Sequence, residues 1–268
     1  MRYLSICALL LLASPVWAGS QSFDWVVDQV PQLPVGTLDT ELIQSYVPQG
    51  HPGAENGDTP GGGAGSVATQ NLMRTGIRGL YGLTDRIALM YQLNLAKPSG
   101  ASYQYEGSEF GAHVRFYEGH GWKLGGAIEL EWQREPQYVD NALGIDIHPI
   151  IERDFGPLSI LVNPILEKTL VGPDSNCGLE AGYSAQVLYH FAEHYAAGLE
   201  SYGNKGRLTH GGAPSRNQDY YLMPVVNANF GSLDLSTGPG VGLTGASDRL
   251  VLKFNMGYSF ALFAPGRD

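Results

Sequence analysis

Successive side chains of a β-strand point to opposite faces, so apolar residues at every second position mark a strand with one apolar face. This pattern dominates the chain from Asn71 to Phe260. Ile87, Leu89, Tyr91, Leu93 and Leu95 share one face, and Ala88, Met90, Gln92 and Asn94 share the other. Leu124, Ile128, Leu130 and Trp132 oppose Gly125, Ala127, Glu129, Glu131 and Gln133. Near the end, Leu250, Leu252, Phe254, Met256, Tyr258 and Phe260 oppose Val251, Lys253, Asn255, Gly257 and Ser259. Each stretch is about ten residues long, the length a tilted strand needs to cross hydrocarbon. No helical periodicity of similar quality competes with it.

The connections alternate in length. Gly82-Leu83-Thr84-Asp85, Glu118-Gly119-His120-Gly121, Phe155-Gly156-Pro157, Ala192-Glu193-His194 and Gly231-Ser232 are short. Lys97 to Gly107, Glu135 to Asn141, Val171 to Gly178 and Gly203 to Gln218 are longer. Short periplasmic turns and longer outer loops describe a barrel of the bacterial outer membrane. About eleven strands follow Asn71, and single-chain bacterial barrels hold an even number. The sidedness therefore demands one more strand before them. Thr37 to Val47 is the candidate, with the Gly/Pro-rich tract from Gly50 to Gly63 as the first outer loop. The expected fold is all-β, an antiparallel transmembrane β-barrel of about 12 strands. The expected organisation is a signal peptide over 1–18, an N-terminal segment with the candidate strand and the Gly/Pro-rich loop over 19–66, and the β-barrel over 67–268.

The signal reading rests on Arg2, the apolar run from Leu4 to Ala13 and the small residue Ala18 before a cut at Gly19. It places the protein in the outer membrane after export. Cys177 is then the one cysteine left, so no intramolecular disulfide can form. Loss of Arg2 leaves 15 basic against 26 acidic side chains, a net charge of −11. Such a surface repels phosphate and argues against a nucleic-acid partner. No later apolar run is long enough for a membrane helix.

Alternation alone does not say which face meets lipid. A soluble exported barrel of the lipocalin type has the same period with its apolar face inside. Three features favour the inside-out arrangement. About twelve strands enclose more space than apolar side chains fill. Aromatic residues such as Tyr81, Trp132, Tyr195, Tyr258 and Phe260 fall near strand ends, as an interfacial girdle requires. The third feature is the charge on the mixed face. Its basic residues are Arg74, Arg78, Arg115 and Lys253; its acids include Glu129, Glu131, Asp146, Glu152, Glu167 and Glu180; His113 and His148 share the parity. As pore-lining candidates these side chains either sort solutes by charge and size or brace the wall through ion pairs. Pro149 and Pro164 fall on the lipid face of neighbouring strands, where a bulge or kink is expected because proline gives no N–H to a ladder.

Several turns carry a resemblance. Gly82-Leu83-Thr84-Asp85-Arg86, Asp154-Phe155-Gly156-Pro157-Leu158, Asn163-Pro164 with Leu166-Glu167-Lys168, and Gly240-Val241-Gly242-Leu243-Thr244 through Ser247-Asp248-Arg249-Leu250 resemble signatures of outer-membrane barrels grouped as the meta-pathway of phenol degradation family. The resemblance spans Asn71 to Phe260. It implies an outer-membrane channel or transporter-like protein, linked with uptake of aromatic compounds, and no catalytic motif. Such chains often stop at an aromatic strand residue, whereas here Ala261 to Asp268 follow Phe260.

Chemistry-bearing patterns are sparse. His190 and His194 straddle a strand end and a turn, and His113 and His148 lie on different strands. With no clustered cysteines and no H-E-x-x-H motif, no metal and no cofactor is expected. Ser159, Ser184, Ser236 and His148 face inward without a nucleophile signature, so no catalytic residues are expected. Glu129 and Glu131 are same-face neighbours that could pose as paired carboxylates, but a lumen is polar in any case. The expected partners are outer-membrane lipid and a small-molecule solute. The rival readings are a lipid-active hydrolase, a plugged structural or adhesive barrel, and the soluble barrel.

Overall fold

The computed structural model describes residues 25–50, 68–133, 142–172, 175–176, 178–208 and 218–262. The signal peptide, most of the Gly/Pro-rich loop and Cys177 lie outside these residues. The strands are β1 (Thr37–Gln49), β2 (Leu72–Gly82), β3 (Ile87–Lys97), β4 (Gln104–Gly119), β5 (Trp122–Gln133) and β6 (Ala142–Phe155). They continue with β7 (Leu158–Val171), β8 (Glu180–Ala192), β9 (Tyr195–Arg207), β10 (Asp219–Phe230), β11 (Leu233–Gly242) and β12 (Leu250–Ala261). Each strand pairs antiparallel with its sequence neighbours, and β1 closes the barrel against β12. Closure runs from Thr37↔Ala261 to Gln49↔Leu250, with one register shift after Tyr46. The weakly alternating Thr37 segment is thus a full barrel strand, and the residues after Phe260 do not prevent closure. The barrel begins inside the segment expected over 19–66.

The parity separates two surfaces. Ile128, Leu130 and Trp132 point outward at 43–49% exposure, while Ala127 and Glu129 on the opposite parity are buried at 4% and 5%. An apolar belt of this kind is a face that hydrocarbon covers. Its short-turn edge is aromatic. Phe191 stacks on Tyr195 at 6.3 Å and Tyr195 meets Phe230 edge-on at 5.9 Å. Arg153 lies between Trp122 and Phe155, 4.7 and 4.9 Å from their ring centres. The turns obey hairpin chemistry: His120 and Gly121 both have positive φ, 52° and 76°, as a two-residue type I′ loop requires.

The strands reach further than the loop pattern implies. β4 begins at Gln104 and β9 runs to Arg207, so parts of the expected outer loops belong to the wall. Polar and glycine-containing strand ends carry no apolar alternation, so they read as loop.

The prolines do not make the expected bulge in β6 and β7. The ladder holds one register on both sides, with Ile147↔Leu166 and Ile151↔Val162. Between them Pro149 and Pro164 face each other, and the pairing is interrupted with no residue inserted. The same device recurs between Leu222↔Val241 and Val226↔Thr237, where Pro224 faces Pro239. Two opposed prolines remove the N–H of both strands at one rung, leaving a gap rather than a kinked register.

Candidate functional site

Residues 25–36 thread into the barrel and divide its interior. Trp25, Val27 and Val30 are buried there. Trp25 packs edge-on against Tyr202 and Tyr221 at 5.3 and 4.9 Å. The wall holds the segment's backbone: Asn163 Nδ2 donates to Asp28 O at 3.0 Å and Asn255 Nδ2 to Trp25 O at 3.3 Å. Val30 fits against Gly125, where an added Cβ would stand 3.3 Å from it. Gly36 N donates to Gly82 O at 2.9 Å, which fixes the segment's exit at the short-turn end.

Asp28 is the only charged residue from Trp25 to Pro34. Its Oδ1 accepts from Arg78 Nη1 at 3.0 Å, and its Oδ2 lies 2.9 Å from His148 Nδ1. Burial opposes ionisation of Asp28, but the His148 hydrogen bond and nearby positive charges hold its carboxyl well below the usual carboxylate range. Sequence reading missed this residue. The available signal was one acid within Trp25-Val26-Val27-Asp28-Gln29-Val30, a poor solvent-facing sequence.

Two cavities flank the segment. The larger, about 500 Å³, reaches the short-turn end at Glu193, His194 and Asn229. Arg78, His113, Glu152 and Lys253 line it. The smaller, about 100 Å³, lies toward the long loops and is lined by Glu129, Glu131, Asp146, His148 and Glu167, with Arg78 again. Arg74 borders a minor third space beside Trp25 and Glu106. Arg115 stands at the short-turn rim, 2.7 Å from Glu118. Glu180 sits opposite Glu167 on β8.

The basic residues are engaged with acids. Arg74 meets Glu106 at 2.9 Å, and Arg78 meets Glu41 at 2.5 Å besides Asp28. Lys123 bridges Glu152 and Asp154. Lys253 and Glu200 form a fully buried pair at 2.6 Å, and Tyr202 OH donates to the same carboxylate. His113 Nε2 lies 2.9 Å from Glu129. These pairs link strands of the wall to one another. The acids, by contrast, line up across strands: Glu129↔Asp146, Asp146↔Glu167 and Glu167↔Glu180 are direct cross-strand pairs, as is Glu109↔Glu131. Like charges placed opposite each other cost stability; Asn94 donates to Glu109, Gln133 to Glu131, and His113 lies against Glu129.

Among the described residues, Ser159 and Ser184 are not set up as nucleophiles. Ser159 Oγ lies 3.2 Å from His190 Nε2, yet it donates to Asp154 Oδ1 at 2.9 Å. In a triad the acid orients the histidine; here it accepts the serine's own hydrogen bond. Ser184 donates to Asn163.

A closed twelve-strand up-and-down wall with an apolar skin and a charged lumen defines a β-barrel of the outer-membrane class. Among solved structures it is similar to an outer membrane channel from Pseudomonas putida, with a TM-score of 0.57 and 14% identity over 88% of this chain and 100% of that one. More distant are the translocator domain of the autotransporter NalP from Neisseria meningitidis (TM-score 0.48, 10% identity, 86% and 90% covered) and LpxR from Salmonella typhimurium (0.41, 10%, 82% and 99%). No protein-family model matches the chain, and no curated protein matches its sequence.

Proposed function

We propose that the protein is an outer-membrane channel, transporter-like in character, that passes a small solute and performs no catalysis. The observation that carries this is the lumen itself. It is polar and keeps a chamber of about 500 Å³ at the short-turn end and a second of about 100 Å³ beyond the threaded segment. A soluble barrel would bury the apolar face that is exposed here. Similarity of fold to an outer membrane channel supports the reading. The turns that resemble the meta-pathway barrels add aromatic compounds as the first solutes to test. The acidic row favours cations and neutral molecules over anions. The partners are then outer-membrane lipid and the solute, with the signal removed near Ala18 during export.

One observation favours a second reading, a plugged structural barrel: Asp28 clamps the threaded segment between β2 and β6. Solute uptake by swelling vesicles separates the two. A channel admits small aromatics at rates above protein-free vesicles. A plugged barrel admits nothing.

A further inference from the structure

We propose that Asp28, Glu129 and His148 form a site for a divalent first-row transition-metal ion of the zinc class, which staples the threaded segment to the barrel wall. Each residue offers one donor atom, and the three atoms lie within 4.8 Å of one another. They come from three places: Asp28 from the segment inside the lumen, Glu129 from β5 and His148 from β6. His148 pairs with Ala127 in the β5–β6 register, which makes it the diagonal neighbour of Glu129 on the inward face. The sequence hid the site because none of these donors stands near another along the chain.

Each carboxylate is held at one oxygen by a residue outside the cluster. Arg78 fixes Asp28 Oδ1, leaving Oδ2 toward the cluster. His113 Nε2 holds Glu129 Oε1 at 2.9 Å. Outer groups that pin one atom of a ligand and aim the next are the usual support of a metal site. Arg78 brings a positive charge close by, but Glu41 also holds that guanidinium, at 2.5 Å.

The cavity of about 100 Å³ is lined by all three donors and by Glu131, Asp146 and Glu167. It has room for an ion and a water as fourth ligand, since a water occupies roughly 30 Å³. Carboxylate lining favours a cation. One imidazole nitrogen among the donors favours zinc, copper, nickel or cobalt over calcium and magnesium, which prefer all-oxygen sites. Bonds of roughly 2.0–2.2 Å to a tetrahedral ion set donors about 3.4 Å apart, so Asp28 Oδ2 and His148 Nδ1 open from 2.9 Å while Glu129 moves in toward them. The ion replaces the proton of the Asp28–His148 hydrogen bond, and that proton leaves to solvent.

The test uses the mature full-length barrel, folded in detergent and stripped with a chelator, and does not depend on whether the barrel conducts. Zinc titrated by calorimetry should bind one per barrel. Cobalt should give visible ligand-field bands that zinc abolishes. Asp28→Asn and His148→Ala should each weaken zinc binding by about tenfold or more. Glu118→Gln, at the short-turn rim and outside this cavity, should stay near wild type. Migration of unboiled samples on gels checks that each variant is folded, and Asp28→Asn alters no wall strand. Absence of stoichiometric zinc binding overturns the proposal. So does wild-type affinity in both Asp28→Asn and His148→Ala, or calcium binding as tightly as zinc.

Discussion

Arg78 on β2 donates to Asp28 of the threaded segment at 3.0 Å. This contact joins the one charge of the segment to the barrel. Removing one member of a buried ion pair costs about 3–5 kcal/mol, because its partner is left in a low-dielectric site. Asp28→Asn should therefore loosen the segment without unfolding the wall. Protease cleavage within residues 25–36 of the folded barrel should become faster, while gel migration stays that of a folded barrel. Cleavage at the wild-type rate would remove Asp28 as the anchor.

Lys253 and Glu200 provide a second test of charge in the lumen. Both are almost wholly buried, and Tyr202 shares the carboxylate. Lys253→Met should destabilise the barrel by about 3–5 kcal/mol by stranding Glu200. Adding Glu200→Gln should recover most of that loss. Unfolding in denaturant, followed by the shift between folded and unfolded bands, reads both. A double variant no better than the single one would show that the pair is not the source of the effect.

The gap at Pro149 and Pro164 is expected to be a weak point of the wall. Replacing both by valine supplies two N–H donors at one rung, each worth about 1 kcal/mol in net terms. The double variant should unfold at higher denaturant concentration than wild type. Amides of the flanking residues His148 and Ile165 should exchange with solvent more slowly in the variant. Unchanged stability and exchange would mean that the rung is already satisfied in another way.

Much of the wall was legible from the two-residue period. Even β1, whose alternation is weak, followed from parity and sidedness, because an up-and-down barrel needs an even strand number. The period separates the two faces, since Ile128 and Glu129 cannot share a side; which face meets lipid follows from strand number, inward charge and aromatic strand ends. What escaped was everything carried by non-periodic chain. Asp28 sits in a segment with no strand or helix pattern, and its partners Arg78 and His148 lie far along the sequence. The proline pairs were half legible. The sequence puts Pro149 and Pro164 on the lipid face of neighbouring strands, but whether opposed prolines insert a residue or leave a gap depends on the register of both strands.

Sidedness can be tested from outside intact cells. With Cys177 replaced by serine, Ser99→Cys in the β3–β4 connection should react with an impermeant thiol reagent. Glu193→Cys in a short turn should not. Labelling at Glu193→Cys but not at Ser99→Cys would invert the barrel in the membrane.

Single-channel current in planar bilayers tests the central account most directly, comparing the mature chain with a variant lacking residues 25–33. The two cavities meet the threaded segment from opposite sides, so its removal should join them. The expected result is a small conductance for the mature chain and a clearly larger one for the shortened chain, with cations favoured over anions in both. No current from either folded barrel, or the same current from both, would contradict a channel narrowed by this segment.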